Sequence, residues 1–427
     1  MTAQDVRATV DAVWRLESGR IIAVLSRLVR DVGLAEELAQ DAVVAALTEW
    51  PVKGVPPNPA AWLMTTARHR AIDRLRRNDR LTAKVAELGR HVEDEQRAHG
   101  QADFEAVLDQ DDIDDDVLRL IFTACHPVLP TESRVALTLR VLGGLSTEET
   151  ARAFVVAESS VAQRIVRAKR ILADRKVPFE LPPPAERAER LSSVLEVVYL
   201  IFNEGYTATA GADWLRPELT REALRLGRVL AELAPDEPEV HGLVALMEIQ
   251  ASRNAARVGP DGTPVPLLEQ NRGRWDQLLI RRGYAALLRA QRLGRPAGPY
   301  VVQAAIAACH ARAHRPEDTD WPAISALYAM LYRLTPTPVV ALNRAVAVAM
   351  AEGPRQGLEL IDAIADHPML REYHLLPAVR GDLLSRLGRA AEARAEFQRA
   401  AALTRNQPER ETLLRRADAA GAAPTDG

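Results

Sequence analysis

The residues that most constrain this chain are Ser146 and Glu149. A serine followed three positions later by a glutamate is a capping box, in which hydroxyl and carboxylate each satisfy an orphan backbone N–H at a helix start. The pair predicts a helix opening at Thr147 and fading at Phe154. After Val155, Val156 and Ala157 a second helix begins, with Val161, Ile165, Ala168 and Leu172 forming one buried stripe. Its other side carries Ser159, Ser160, Gln163, Arg164, Arg167 and Arg170, residue types that reach phosphates and major-groove base edges. From Leu129 to Leu172 the chain thus reads helix, turn, helix, turn, helix, the plan of a helix-turn-helix. Taken alone, such a stripe is equally the signature of a solvated charged face.

The wording of the segment separates the two readings. Leu129, Pro130 and Arg134, then Gly144, Leu145, Ser146, Glu148 and Glu149, then Val161, Arg164, Arg167 and Ala168 resemble region 4 of the extracytoplasmic-function sigma factors. Two positions depart from that pattern: Val155 stands where a turn glycine is frequent, and Ala157 where a capping hydroxyl is usual. A β-branched residue disfavours positive φ, so a differently shaped turn is expected.

Region 2 of the same family is legible upstream. An amphipathic helix over residues 5–30 rests on Val13, Leu16, Ile21, Leu25, Leu28 and Val29, and Gly33 breaks it from a second helix, Leu34 to Trp50. The second helix carries Glu36, Glu37, Gln40 and Asp41 opposite its apolar positions. Helix-dipole compensation accounts for such acids in an arbitrary helix. The resemblance implies more: Glu36, Glu37, Leu38, Gln40 and Asp41 match the family helix that docks on the β′ clamp of RNA polymerase. Prolines 51, 56, 57 and 59 with Gly54 then predict a stiff loop over residues 51–60, which in the family captures a flipped promoter base. The helix after it, Trp62 to Arg77, has an apolar line of Leu63, Ala67, Ala71 and Leu75. Arg68, Arg70, Arg74, Arg76, Arg77 and Arg80 outnumber Asp73 and Asp79 there, and a helix so basic suits a polyanion. Trp62, Leu63, Ala67, Arg68, Ile72, Asp73 and Arg76 match the family helix that melts and holds the minus-ten strand, while His69 replaces its usual asparagine.

Between Leu81 and Asp116 twelve acids face Lys84, Arg90 and Arg97, which predicts a self-repelling, mobile tether. The resemblance implies that it threads the RNA exit path. A second linker around Pro178, Pro182, Pro183 and Pro184 is expected to be semi-extended. Beyond it, alanine-rich amphipathic helices follow. Gly381, Leu384, Gly388, Ala393, Phe397 and Ala400 fall at the small and large positions of a tetratricopeptide repeat. A poorer copy lies from Leu342 to Ala365, and Glu222 to Ile249 reads as a further pair around Pro235 and Pro238. The phrases beginning at Tyr199, Asn271 and Pro338 resemble a subgroup of these sigma factors with a long fused C-terminal extension, which implies control by the extension itself.

With aromatics at 4% and almost no strand-like alternation, the fold class is all-α. The expected domains are region 2 over residues 1–80, an acidic linker over 81–117, region 4 over 118–180, a proline-rich linker over 181–190 and a helical, tetratricopeptide-like regulatory domain over 191–427. The net charge of −3 conceals basic helices beside acidic stretches, so it does not argue against nucleic acid. Two cysteines, Cys125 and Cys309, make no disulfide framework, and the N-terminus lacks a signal-peptide pattern, so a cytoplasmic chain is expected. No phosphate loop, nucleophile elbow or zinc spacing is present, which argues against an enzyme and against a metal or other cofactor. Asn203, Glu204, Tyr206, Arg272, Trp275 and Asp276 could either line a polar pocket or join helices. The resemblance implies core RNA polymerase, through its β′ clamp and β flap, and promoter DNA as partners, with no membrane. A protein or peptide is a candidate partner of the C-terminal domain. The rival readings are a DNA-binding regulator or a repeat scaffold that acts without polymerase.

Overall fold

In the computed structural model, residues 3–88, 110–154, 156–207, 215–259 and 263–422 are described. Val155 and the Arg80 side chain, both singled out above, lie outside the described positions. Every regular element among the described residues is a helix, and the chain forms two compact units, Met1–Arg152 with Val156–Val197, and Ala153–Val155 with Val198–Gly427.

The first unit contains α1 (Ala3–Val29), α2 (Val32–Lys53), α3 (Pro59–Leu88), α4 (Gln110–Ala124), α5 (Thr131–Val141), α6 (Thr147–Phe154) and α7 (Glu158–Asp174). Its core draws Ile21, Ile22 and Leu25 from α1, Ala42 and Trp50 from α2, Leu63 and Ala67 from α3, and Leu120 from α4. Asp31 caps α2 by accepting from Leu34 N, and Asn58 accepts from Ala61 N at the start of α3.

Two expectations are corrected here. The proline loop is shorter than 51–60: α2 continues through Pro51 to Lys53, and Pro59 opens α3. Proline at the last turn forfeits one backbone bond but its φ remains helical. The helix ends where Gly54 takes φ 86°, its N–H donating to Trp50 O. The acidic tether also ends earlier than 117. Residues 81–88 belong to α3, and α4 begins at Gln110, with residues 89–109 outside the described stretch. Asp116 is fully buried because Arg119 donates to it at 2.6 Å and Arg27 of α1 lies 3.2 Å away. A carboxylate so paired behaves as part of the core rather than of a self-repelling chain.

Helix α8 (Pro184–Tyr206) starts in the first unit and ends in the second. The first unit extends past the proline linker because Ser193 of α8 donates to Cys125 O at 2.6 Å, and Arg134 donates to Ser193 Oγ and to Glu196 at 3.0 Å.

The second unit is a run of helices: α9 (Pro217–Leu233), α10 (Pro238–Ala251), α11 (Gln277–Arg292), α12 (Pro299–Arg312), α13 (Trp321–Leu334), α14 (Pro338–Ala351), α15 (Pro354–Asp362), α16 (Leu375–Arg386), α17 (Ala390–Leu403) and α18 (Gln407–Ala422). Most pack chiefly on their neighbours in the chain, as in a solenoid, whereas α12 packs more on α10 than on α11 or α13. Proline supplies the first helical residue of α9, α10, α12, α14 and α15, where its absent N–H would be an orphan anyway. The repeat signature has a direct steric basis: a Cβ on Gly381 would sit 2.9 Å from the Phe397 ring, so only glycine lets α16 and α17 close over that side chain. Gly388, at φ 76°, turns the chain between them.

Candidate nucleic-acid interface

The capping box forms as expected, with Ser146 N donating to Glu149 Oε2 at 2.8 Å and Glu149 N to Ser146 Oγ at 3.0 Å. Ala157 caps α7 in extended geometry with no side-chain bond, so the helix starts without the usual hydroxyl. On α7, Val161, Ile165, Ala168 and Leu172 are buried, leaving Ser159, Gln163, Arg167 and Arg170 exposed and Ser160 and Arg164 half-buried. Arg164 is held by Glu132 of α5 at 2.7 Å, and Arg170 by Asp174 at 3.4 Å. Both pairs lie largely in water, where such contacts contribute under about 1 kcal/mol and exchange readily.

Helix α3 buries Leu63, Ala67 and Ala71 and exposes His69, Arg74, Arg76 and Arg77. Arg68 and Arg70 are half-buried, Arg70 lying 3.7 Å from Asp41. Arg74, Arg76 and Arg77 have no ion pair among the described residues. A cavity of about 220 Å³ between α2 and α3 is lined by Glu37 and Asp41 on one side and Arg70, Arg74 and Arg77 on the other. At the proline loop, Trp62 meets Trp50 edge to face, centroids 5.4 Å apart, a pairing that fixes the start of α3 against α2.

The acidic residues of α2 do not act as one face. Glu37 and Asp41 are exposed and Gln40 half-buried, whereas Glu36 and Leu38 are buried at 5% and 6%. Glu36 accepts from Arg140 of α5 at 2.7 and 2.8 Å and pairs with Lys169 of α7. Burial opposes ionisation of Glu36, but Lys169 and Arg140 outweigh it and hold the carboxyl below its ordinary value. A second tie joins Arg15 of α1 to Glu149, the capping-box carboxylate. Between them Gly144, at φ 64°, lies so close to α1 that a Cβ would stand 2.8 Å from Ser18 Oγ. Sequence reasoning missed Arg140, Lys169 and Arg15, because their partners lie more than a hundred positions away and no short-range pattern marks them.

Comparison with known proteins accords with this anatomy. Residues 14–81 match the family described as Sigma-70 region 2, residues 119–172 match Sigma-70, region 4, and residues 190–291 match a family of unknown function (DUF6596). These matches define a DNA-binding transcription initiation factor of the sigma-70 class. A protein of Rhizobium meliloti (strain 1021), named Uncharacterized protein R00370, is 44% identical over 404 residues, covering 94% of each chain. The chain belongs to the extracytoplasmic-function sigma factors that carry a fused C-terminal domain. Core RNA polymerase and promoter DNA are the partners of such a factor, and its family works as transcription factors rather than enzymes. Among the described residues no helix is long and apolar enough to cross a membrane.

Proposed function

We propose that this sigma factor recruits core polymerase through Glu37 and Asp41 of α2, opens the minus-ten region with α3, reads the minus-thirty-five element with α7, and is controlled by its C-terminal half. The observation that carries this reading is the division of labour within one unit. Two cationic helices present arginines outward, and Glu37 and Asp41 stand exposed on α2 beside the arginines of α3. Region 2 is taken to end with α3, region 4 to run from α4 through α7, and the regulatory domain to begin where the first unit ends within α8. Polymerase contact through the β′ clamp would use Glu37, Gln40 and Asp41 directly. Glu36 becomes available only if α2 parts from Arg140 and Lys169, and Leu38 is buried.

The α7 assignment is tested by selecting promoter fragments with holoenzyme carrying Gln163→Ala, Arg164→Ala or Arg170→Ala. The first two are expected to weaken discrimination at particular minus-thirty-five bases, by ~1–3 kcal/mol where the contact is bidentate. Arg170→Ala, near the backbone, is expected to lower binding to all sequences alike. Uniform loss in all three variants would remove α7 as the reader.

Control by the extension is tested in the full chain with Phe397→Ala. Phe397 is 2% exposed and fills the gap between α16 and α17, so its truncation is expected to destabilise the second unit by roughly 3–5 kcal/mol. Promoter-specific transcription at a temperature where the variant is partly melted is expected to change. A melted second unit with unaltered transcription would make the extension a passenger.

A further inference from the structure

The second unit contains a cavity of about 190 Å³ bounded by α10, α12 and α13 and by the 3-10 turn Leu267–Glu269. Its walls are Leu246, Ile306 and Ala307, and its polar lining comes from Gln250, Arg253, Gln303, His310 and Tyr328. Among the described residues one cation and no carboxylate line it. Among the described residues Arg253 makes no ion pair: its Cζ lies 5.6 Å from the Tyr206 ring and 5.9 Å from the Trp275 ring, and its buried Nε has no hydrogen-bond partner there. His310 is likewise left with an unbonded, buried Nδ1, its ring packed edge-on against Trp321. Gln303 is anchored, accepting from the Tyr199 hydroxyl at 3.4 Å and donating to Pro299 O at 3.2 Å.

The surroundings add two further cations, of which Arg272 also feels Glu317 and Asp318. Arg272, beside the same Trp275 ring, donates to the carbonyls of His310 and Ala313 at 2.7 Å and to Thr319 Oγ1 at 3.1 Å. Arg257 lies with its Cζ 3.5 Å from the centroid of the Tyr206 ring and donates to Tyr206 O and to Thr207 Oγ1. Burial, reinforced by Arg253 and Arg272, pushes the His310 imidazole down to about 4, so it is neutral near pH 7. Arg253 is half-buried and faces no carboxylate in this lining, an arrangement suited to an anion that arrives from outside.

We propose that this cavity binds a small organic carboxylate, held by the guanidinium of Arg253, with Gln250 and Tyr328 meeting its remaining polar atoms and Leu246 and Ile306 its apolar part. The volume lies below the ~300–1,000 Å³ of clefts that take drug-sized ligands, so the ligand is amino-acid-sized or smaller. A planar fork matches a carboxylate in bidentate fashion. A phosphate dianion would call for a second lining cation, and Arg257 and Arg272 are already engaged by backbone oxygens. The sequence patterns around Tyr199 and Asn271, which the polymerase and promoter contacts leave unused, stand behind this lining: Tyr199 holds Gln303, and the Tyr206 and Trp275 rings lie beside Arg253. The inference does not depend on control of transcription by the extension.

The test is calorimetric titration of the full-length protein with sodium acetate, sodium benzoate and inorganic phosphate at constant ionic strength, with thermal melts alongside. Saturable one-to-one binding of a carboxylate is expected, with a raised melting temperature. Arg253→Gln is expected to weaken it about tenfold or more, as loss of a charge-assisted pair implies. Arg253→Lys, which keeps the charge without the fork, is expected to fall between the two and guards against a folding defect. No saturable binding by any of the three probes, binding of phosphate alone, or equal carboxylate affinity in the wild type and a folded Arg253→Gln protein would each overturn the proposal.

Discussion

Reversing Glu37 and Asp41 to lysine is expected to abolish binding to core RNA polymerase while leaving the fold intact. Both side chains stand in solvent on α2, and among the described residues Asp41 has one ion pair, an exposed one to Arg70 at 3.7 Å. Charge changes at such positions cost under about 0.5 kcal/mol of stability. Across an interface the same carboxylates meet cations, and close charge pairs there couple by about 1.5 kcal/mol or more each. Two lost pairs therefore correspond to at least a ~100-fold rise in Kd. Fluorescence anisotropy of the labelled protein with core enzyme reads this directly, and an unchanged melting curve excludes misfolding. Affinity retained by the double variant would place the polymerase contact elsewhere.

Removing Glu36 is expected to give the larger effect on stability. Its carboxylate is almost wholly buried between Arg140 and Lys169, which keep 21% and 20% of their side chains exposed. Truncating one partner of a fully buried pair costs ~3–5 kcal/mol because the other is left uncompensated. With two partly hydrated cations remaining, Glu36→Leu should cost roughly 2–3 kcal/mol, read from urea unfolding of the first unit. Replacing Glu36, Arg140 and Lys169 together by apolar residues should recover much of the loss. The pH dependence has a definite sign. The folded carboxyl lies below its ordinary value of 4.5, so its contribution is present above that value and fades as pH falls through the folded one. Glu36→Leu should lack this acid-side component. A variant as stable as the wild type at pH 7 would mean that α2, α5 and α7 are not held together through this residue.

Most of the fold and part of the site could be read from local spacing. The capping box at Ser146, the stripe from Val161 to Leu172 and the glycine against Phe397 each depend on residues a few positions apart, and each is found where the spacing puts it. The sequence places Glu36 opposite the apolar face of its helix; spacing shows which face is apolar, not that Arg140 and Lys169 will cover the edge of that face. The acidic run misled for the same reason: charge density predicts repulsion, whereas Asp116 is neutralised by Arg27 from a helix far upstream. Of the cavity in the second unit, only its surroundings are visible in sequence. Tyr206, Arg272 and Trp275 stood out in the sequence, but Arg253, His310 and Tyr328 come from separate helices and turns and carry no common motif.

The central claim is promoter-specific initiation, and run-off transcription with core RNA polymerase on fragments selected by the reconstituted holoenzyme tests it most directly. The account predicts a transcript of one defined length that depends on adding this protein and disappears with the Glu37→Lys, Asp41→Lys double variant. Binding to the same fragments without any such transcript would contradict it and would make the protein a DNA-binding regulator that works without recruiting polymerase.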